Sequence, residues 1–271
     1  SESRYGGVLP DLPRGSFTLS SKVGRLLTPI DAGDTSLTED GIPDLESHFD
    51  MSRDGILRSV ESSLDRLNLD HLDIIYLHDP DRYEGDGMSV ALDSALPAMI
   101  ELREQGVVGA IGCGMNMWEW PATFVGRSDL DVVLLAGRFT LLDHDAYAEF
   151  LPLCVKRGVS VVVGGPNNSG KLARNLDGPV SFNYQPAARD LIDRARSLKR
   201  ICEDHSVDLK AAALQYVLAH PAVISAVPGA RSVDEIADNV AMVSVAIPEA
   251  VWDEMKSERL IPEDAPTPAL A

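Results

Sequence analysis

Short apolar runs alternate with longer amphipathic segments along the chain, and turn residues separate them. Several of the short runs are almost continuously apolar, which is typical of strands buried on both faces of a parallel sheet. The runs predict six strands, which are Phe17–Val23, Asp73–His78, Gly109–Asn116, Val132–Gly137, Val159–Gly165 and Val223–Gly229. Strands and longer segments therefore follow each other in strict alternation.

The longer segments carry apolar residues at helical spacing. In Ser52–Leu67 they recur every three or four positions, and Ser52 is placed to cap the helix N-terminus. In Ala91–Gln105, Pro97 is expected to bend the helix and Gly106 to end it. Further helices are predicted at about Asp145–Arg157, Ala187–His205, Asp208–Ala219 and Val233–Ala241.

Alternating strands and helices predict right-handed βαβ units, arranged as a doubly wound sheet or as a barrel. No strand is followed by the glycine-rich GxGxxG turn that binds dinucleotides in doubly wound sheets. Polar residues instead stand at strand ends, at Lys22, His78 and Asn116. Active sites of barrels lie at these ends. We therefore predict a single α/β domain over residues 1–271 of the (β/α)8 TIM-barrel type, with about six of its eight parallel strands.

The composition excludes several classes of protein. The 271 residues include 24 Lys and Arg against 42 Asp and Glu, a net charge of -18, which argues against binding to nucleic acid or to an anionic membrane surface. The 3 cysteines, Cys113, Cys154 and Cys202, lie far apart, so we expect reduced structural thiols and no metal site. No apolar run is long enough to span a bilayer and no signal segment opens the chain, which favours a cytoplasmic protein.

Lys22 and His78 are candidates for chemistry because each stands at the end of a predicted strand. A lysine there is either a solvated rim residue or a functional cation. A histidine there is either satisfied by a neighbouring carboxylate or able to donate a hydrogen bond to a substrate oxygen. Since the two strands are successive units of the barrel, both side chains are expected at the same mouth, which favours the functional interpretation.

A series of segments resembles the aldo-keto reductase superfamily, in particular its branch of bacterial aldose 1-dehydrogenases. In chain order these segments are SSKVGRLL, SVESSLDRLNLDHLDIIYLHDPD, GAIGCGMN, GRFTLLD, GGPNNSGKLA and VPGARSVDEIADNV. The resemblance covers residues 1 to about 260. It implies an NAD(P)-dependent oxidoreductase that oxidises an aldose, such as L-fucose or a D-threo-aldose, at C1 to the lactone.

The resemblance also implies roles for individual residues. Lys22 resembles the lysine that lowers the pKa of the catalytic tyrosine, and His78 the histidine that orients the substrate carbonyl. Asn116 resembles the asparagine that binds the nicotinamide carboxamide. The other implied cofactor contacts are Asn168, Ser169, Gly170 and Leu172 in the pyrophosphate loop, and Gly229, Ala230, Arg231, Ser232, Glu235, Asp238 and Asn239 around the adenosine.

Three of these residues bear on the choice of cofactor. Members that use NADP grip its 2′-phosphate with two basic residues, and here Gly229 and Glu235 stand at those positions. Glu235 would repel a phosphate and accept a hydrogen bond from a free 2′-hydroxyl, whereas Arg231 is available to a phosphate. We therefore expect NAD to be preferred and NADP to be tolerated.

In the family, the catalytic aspartate and tyrosine lie in a stretch D-T-A-x-x-Y-G-x-G-x-S-E, of which this chain matches only the last two positions, Ser1 and Glu2. Neither Tyr5 nor Tyr76 has the context to replace that tyrosine. We expect the first two strands and their helix to be missing, and the exposed sheet edges to favour either homo-oligomers or instability. Three explanations stay open: an incomplete or mis-assigned start, a truncated gene, or a non-catalytic NAD(P)-binding partner.

The substrate is expected to be a small sugar or aldehyde. Oxidation of pyridoxal, as in pyridoxal 4-dehydrogenases, is an alternative to oxidation of an aldose. The segment Gly24–Phe49, the loop after His78 and the stretch Trp252–Pro266 would make the choice. None of these three segments has a sequence pattern that distinguishes an aldose substrate from pyridoxal.

Overall fold

The computed structural model describes residues 1–29, 45–168, 170, 172, 181–182, 185–186 and 189–268. The helices are α1 Glu2–Gly6, α2 Arg53–Leu67, α3 Gly87–Val90, α4 Leu96–Glu104, α5 Glu119–Arg127, α6 Phe150–Arg157, α7 Arg189–Asp204, α8 Leu209–Leu218, α9 Val233–Val243 and α10 Glu249–Ser257. The strands are β1 Ser20–Val23, β2 Arg25–Pro29, β3 Leu45–Phe49, β4 Leu72–His78, β5 Val108–Met115, β6 Val132–Ala136, β7 Ser160–Gly164, β8 Ser181–Phe182, β9 Gln185–Pro186 and β10 Val223–Val227.

Six parallel strands form one sheet in the order β1-β4-β5-β6-β7-β10. They are the six strands that the sequence predicts, with ends that shift by one to three residues. The α/β fold with six parallel strands is therefore confirmed. Within the described ranges the sheet has two edges, β1 and β10.

The predicted first strand begins three residues too early. Asp73, on the neighbouring β4, accepts hydrogen bonds from the Leu19 amide at 2.7 Å and from the Arg14 guanidinium at 2.7 Å. Because this carboxylate takes the Leu19 amide, regular ladder pairing starts only at Ser20, which is opposite Ile74.

The chain divides into two compact units. The first consists of Ser1–Met115 and Thr123–Val133, and the second of Asn116–Ala122 and Leu134–Ala271. In the first unit, helix α2 is capped by Ser52, whose hydroxyl accepts the Gly55 amide at 3.0 Å, as the sequence predicts. Its buried stripe includes Ile56, Val60 and Leu67.

The predicted bend at Pro97 takes the form of a π-helical segment. Residues Ala91–Ala95 are π-helical, and the Leu96 amide bonds the Ala91 carbonyl five residues earlier. Because Pro97 has no N–H to donate to Asp93, the regular ladder is interrupted there and a wider turn takes its place. The helix ends as predicted, since Gly106 has a φ of +71°.

In the second unit one helix begins later than the sequence predicts. Helix α6 begins at Phe150, not at Asp145. The Asp145 amide bonds the Asp143 carboxylate at 3.1 Å, and the Tyr147 amide bonds the His144 carbonyl at 2.9 Å. Short polar side chains that bond nearby amides stabilise turns in place of helix, which explains the delay.

Several elements are absent from the sequence-based prediction. They include helices α3, α5 and α10 and strands β2 and β3, which form an antiparallel pair within the segment Gly24–Phe49. Residues 30–44, between these two strands, lie outside the described residues. No helix within the described ranges combines the length and the apolar character needed to cross a bilayer.

Candidate active site

The structure brings Lys22 and His78 together in the first unit. Strands β1 and β4 pair in parallel with Lys22 opposite Tyr76, so both strands end at the same side of the sheet. Lys22 Nζ lies 3.3 Å from His78 Nε2. Because an ammonium only donates, Nε2 accepts this hydrogen bond, and the proton of the neutral imidazole is on Nδ1.

Burial and nearby cations keep His78 neutral. Burial lowers its pKa from 6.5 to about 4, and the neighbouring cations Lys22, Arg25 and Arg82 lower it as well, against the opposing influence of Asp79. At neutral pH the imidazole is therefore a hydrogen-bond donor and acceptor without charge.

The surroundings of Lys22 also disfavour the charged form of its side chain. Partial desolvation lowers its pKa below the usual 10.5, Asp79 opposes this, and Arg25 adds to it. Within the described residues no carboxylate forms an ion pair with Lys22, since the contact recorded for its Nζ is with His78. Its positive charge therefore stays available to an oxygen that becomes negative during a reaction.

Asp79 and Arg25 belong to the same cluster, although the sequence-based list contains neither. Asp79 is buried, and its Oδ2 lies 3.2 Å from Arg25 Nη2 and 3.6 Å from His78 Nε2. Its backbone is left-handed, with a φ of +43°, a conformation that aspartate tolerates better than most residues. The Arg25 guanidinium lies over the Phe49 ring at 4.3 Å. The sequence signal that could have identified Asp79 is its position directly after His78, the residue that ends the strand.

Tyr5 and Tyr76, which lack the sequence context of the catalytic tyrosine, both lie in the first unit. Tyr5 is exposed on helix α1. Tyr76 is buried inside β4, and burial raises its pKa to about 12, with Cys113 contributing. A phenol with a raised pKa is a poor proton acceptor at neutral pH.

The second unit contains a cavity of about 690 Å³ between the loop after β7 and the start of helix α9. Seven residues expected from the sequence line it: Gly170, Gly229, Ala230, Arg231, Glu235, Asp238 and Asn239. Four lining residues were missed: Gly165, Asn167, Asp208 and Lys210. Four other expected residues lie in the described part of the chain but do not line the cavity: Asn116, Asn168, Leu172 and Ser232. Ser169 lies outside the described residues.

The loop after β7 leaves room for a ligand. A Cβ atom at Gly165 or Gly229 would meet no protein atom within 4 Å. Gly165, Asn168 and Gly170 all have positive φ angles, so the loop turns tightly. The buried Oδ1 of Asn167 has no hydrogen-bond partner among the described residues, which makes it an acceptor for a ligand hydroxyl or amino group.

Charged side chains of this cavity are paired with one another. Arg231 donates to Glu235 through its amide at 2.8 Å and its guanidinium at 3.3 Å. Lys210 Nζ lies 2.5 Å from Asp238 Oδ2. With Asp208, the lining has three carboxylates and two cations. Ser232 serves as the N-cap of α9 and accepts the Glu235 amide at 3.2 Å.

Asn116 follows β5, and its backbone is held by an arginine that the sequence-based list also omits. Arg138 Nε donates to the Asn116 carbonyl at 2.8 Å. Arg138 Nη1 also pairs with the buried Asp143 at 3.1 Å, and burial raises the pKa of that carboxyl. The segment GRFTLLD therefore fixes the backbone at Asn116.

Residues 1–259 match the sequence model of the Aldo/keto reductase family. The chain belongs to this family. It is 37% identical over 270 residues to D-threo-aldose 1-dehydrogenase of a Pseudomonas species, covering 97% of this chain and 80% of that protein. It is also 37% identical over 276 residues to pyridoxal 4-dehydrogenase of Microbacterium luteolum, covering 96% and 80%.

Solved structures show the fold of this aldo-keto reductase. An aldo-keto reductase of Bacillus halodurans, in its holo form, superposes with a TM-score of 0.71 at 24% identity, over 100% of this chain and 78% of that one. The glycerol dehydrogenase of Gluconobacter oxydans superposes with a TM-score of 0.72 at 18% identity, over 99% and 80%.

As a member of this family, the chain is an oxidoreductase of the aldo-keto reductase type. Members of the family typically use NAD(P). The cavity of the second unit fits such a cofactor in three respects: its volume, the open space above Gly165 and Gly229, and the unsatisfied acceptor of Asn167. Asn167 and Lys210 extend the set of residues that would hold it.

Proposed function

We propose that this aldo-keto reductase oxidises an aldose at C1 to the lactone, with NAD(P)⁺ as the electron acceptor. The observation that carries the proposal is the contact of 3.3 Å between Lys22 and the neutral His78. The similarity to an enzyme named D-threo-aldose 1-dehydrogenase supports the substrate class. The family places its chemistry at these two residue types.

The reaction removes a hydride from C1 and a proton from the hydroxyl on C1, so that a carbonyl forms. NAD(P)⁺, when bound, accepts the hydride. His78 orients the reacting oxygen through a hydrogen bond, because its neutral ring offers an N–H donor without a competing charge. Lys22 stabilises the negative charge that develops on oxygen as the proton leaves.

The proton acceptor that the resemblance implies is a tyrosine in a stretch of which this chain contains only Ser1 and Glu2. Tyr76 is unsuited to the role because its pKa is raised to about 12. We therefore propose that turnover depends on a tyrosine supplied by that stretch.

For the cofactor, we propose NAD as the preferred form and NADP as a tolerated one. Three carboxylates and two cations line the cavity, and each cation contacts one of the carboxylates. A 2′-phosphate would have to break the pairing of Arg231 with Glu235, whereas a 2′-hydroxyl has only to donate to the Glu235 carboxylate.

The test is an assay of sugar-dependent NADH formation with L-fucose, D-arabinose and L-galactose, on the chain alone and with the D-T-A-x-x-Y-G stretch ahead of it. Turnover of an aldose by the extended form would support the proposal. NAD(H) binding without turnover in either form would instead indicate a non-catalytic binding protein.

Pyridoxal is the second candidate substrate, because a pyridoxal 4-dehydrogenase is 37% identical to this chain. Assaying pyridoxal beside the sugars decides between the two. A kcat/KM for pyridoxal above those for all three sugars would replace the aldose proposal.

A further inference from the structure

A second polar cavity, of about 740 Å³, lies in the second unit and shares no lining residue with the candidate cofactor cavity. Arg194, Lys256 and Arg259 supply three cations to its lining, and Glu263 supplies one carboxylate. An excess of positive charge stands out in a chain with a net charge of -18. We propose that this cavity binds a phosphate group.

Arg194 is the innermost of the three cations. One guanidinium nitrogen donates to His144 Nδ1 at 2.9 Å and to the Leu260 carbonyl, while its buried Nε has no partner among the described residues. No carboxylate within the described ranges forms an ion pair with it, although Asp143 acts on it from farther away. A half-buried cation without an anionic partner is costly, and a bound anion would offset that cost.

His144 adds a neutral donor to the same cavity. Because Nδ1 accepts from Arg194, the ring proton is on the buried Nε2, and the Thr140 backbone also interacts with the ring. Burial, and then the charge of Arg194, lowers the pKa of His144 to about 3, so the ring remains neutral.

Lys256 and Arg259 form no ion pair among the described residues, and two carboxylates of the neighbouring chain, Glu254 and Glu258, have other partners. Glu254 of α10 bonds His205 at 2.9 Å and Arg200 at 3.3 Å, and Glu258 bonds Arg200 at 2.5 Å. No ion pair of Lys256 or Arg259 occurs in the described part of the chain. Two cations and the Arg194 guanidinium match the two negative charges and several acceptor oxygens of a phosphate.

The test is calorimetric titration of the chain with inorganic phosphate at constant ionic strength, with acetate as a comparison. We expect saturable phosphate binding that is stronger than acetate binding. The double variant Lys256→Gln/Arg259→Gln should weaken it about tenfold or more, since two charge-assisted contacts are lost. Arg196→Gln is the matched control, because Arg196 is an exposed residue of α7 that pairs with Asp193 outside this cavity.

A second variant separates this site from the cofactor cavity, which also contains a lysine. If Lys210→Gln abolishes phosphate binding and the double variant retains it, the phosphate occupies the cofactor cavity and the proposal is overturned. Absence of saturable binding by the unmodified chain overturns it as well. Titration with a sugar phosphate identifies the source: tighter binding than inorganic phosphate indicates a phosphorylated metabolite, and equal binding indicates free phosphate.

Discussion

Lys22 in the first unit contacts a neutral histidine at 3.3 Å, whereas Lys210 in the second unit contacts a carboxylate at 2.5 Å. The first lysine stands at the end of a strand whose register is set by the sheet, and the second stands at the start of helix α8. The charge of Lys22 is therefore available to a reacting oxygen, while that of Lys210 is neutralised until a ligand competes with Asp238. We therefore propose a role in chemistry for the lysine of the first region and a role in ligand binding for the lysine of the second.

The largest expected effect is that of Lys22→Met in a catalytically competent form of the protein. Removing the cation should lower kcat/KM by about 10²–10³-fold, because the developing oxyanion loses its stabilisation. Steady-state kinetics measure it. Arg53→Gln, an exposed residue of the same unit that pairs with Glu101, is the control. If the two variants had equal kcat/KM values, Lys22 would matter no more for catalysis than an exposed arginine.

Two glycine substitutions test how tightly each region is built. A Cβ on Gly112 would lie 1.8 Å from the Val132 carbonyl oxygen, whereas one on Gly229 would meet nothing within 4 Å. Gly112→Ala should therefore lower the free energy of unfolding by about 2–4 kcal/mol, and Gly229→Ala by less than about 0.5 kcal/mol. Urea denaturation provides both values. Similar losses of unfolding free energy for the two variants would contradict tight packing at Gly112 and open space at Gly229.

The pH dependence of stability should report on His78. Its pKa is about 4 in the folded chain and near 6.5 when unfolded, so the unfolded state binds the proton more readily between these values. The contribution of His78 is present above about pH 6.5 and is lost as the pH falls through about 4.

We expect His78→Gln to reduce the loss of unfolding free energy between about pH 7 and pH 5 by about 1–2 kcal/mol. His71→Gln is the control, since His71 is a partly exposed histidine of the same unit. NMR titration of the His78 ring adds a direct test. Lys22→Met should raise its pKa, and an unchanged value would show that the two groups do not interact.

Lys210→Gln should weaken dinucleotide binding about tenfold, because the cavity loses a cation that can contact phosphate. Fluorescence titration with NADH measures this without turnover. Lys199→Gln is the matched control, since Lys199 is a lysine of α7 that pairs with Glu203. No change in affinity would exclude Lys210 from the cofactor site.

The smallest expected effect concerns the choice between the two dinucleotides. Glu235→Gln removes one negative charge beside Arg231, so the affinity for NADP⁺ relative to NAD⁺ should rise about fivefold. The neighbouring Asp234→Asn, outside the cavity lining, should leave the ratio unchanged. A ratio unaffected by Glu235→Gln would show that Glu235 does not set the preference.

Much of the fold was predictable because strands and helices of this class are local patterns. Apolar runs located all six parallel strands, and Ser52 marked the start of α2. Helix α6 was placed too early because the turn before it depends on the hydrogen bond that the Asp143 side chain accepts from the Asp145 amide, and the sequence pattern does not show this bond. The antiparallel pair β2 and β3 was missed because β3, with the sequence LESHF, is exposed and lacks the continuous apolar run that located the other strands.

By itself, the sequence determined the family through the resemblance of its motifs. The order and periodicity of its apolar residues determined the six-stranded α/β fold and the strand-end positions of Lys22 and His78. Only the tertiary structure decided which groups surround them. Asp79 and Arg25 join His78, Lys210 pairs with Asp238, and the cations around Arg194 converge on one cavity. Charge interactions depend on distances in space, and residues that lie 28 or 54 positions apart in the sequence are set a few ångströms apart by packing alone.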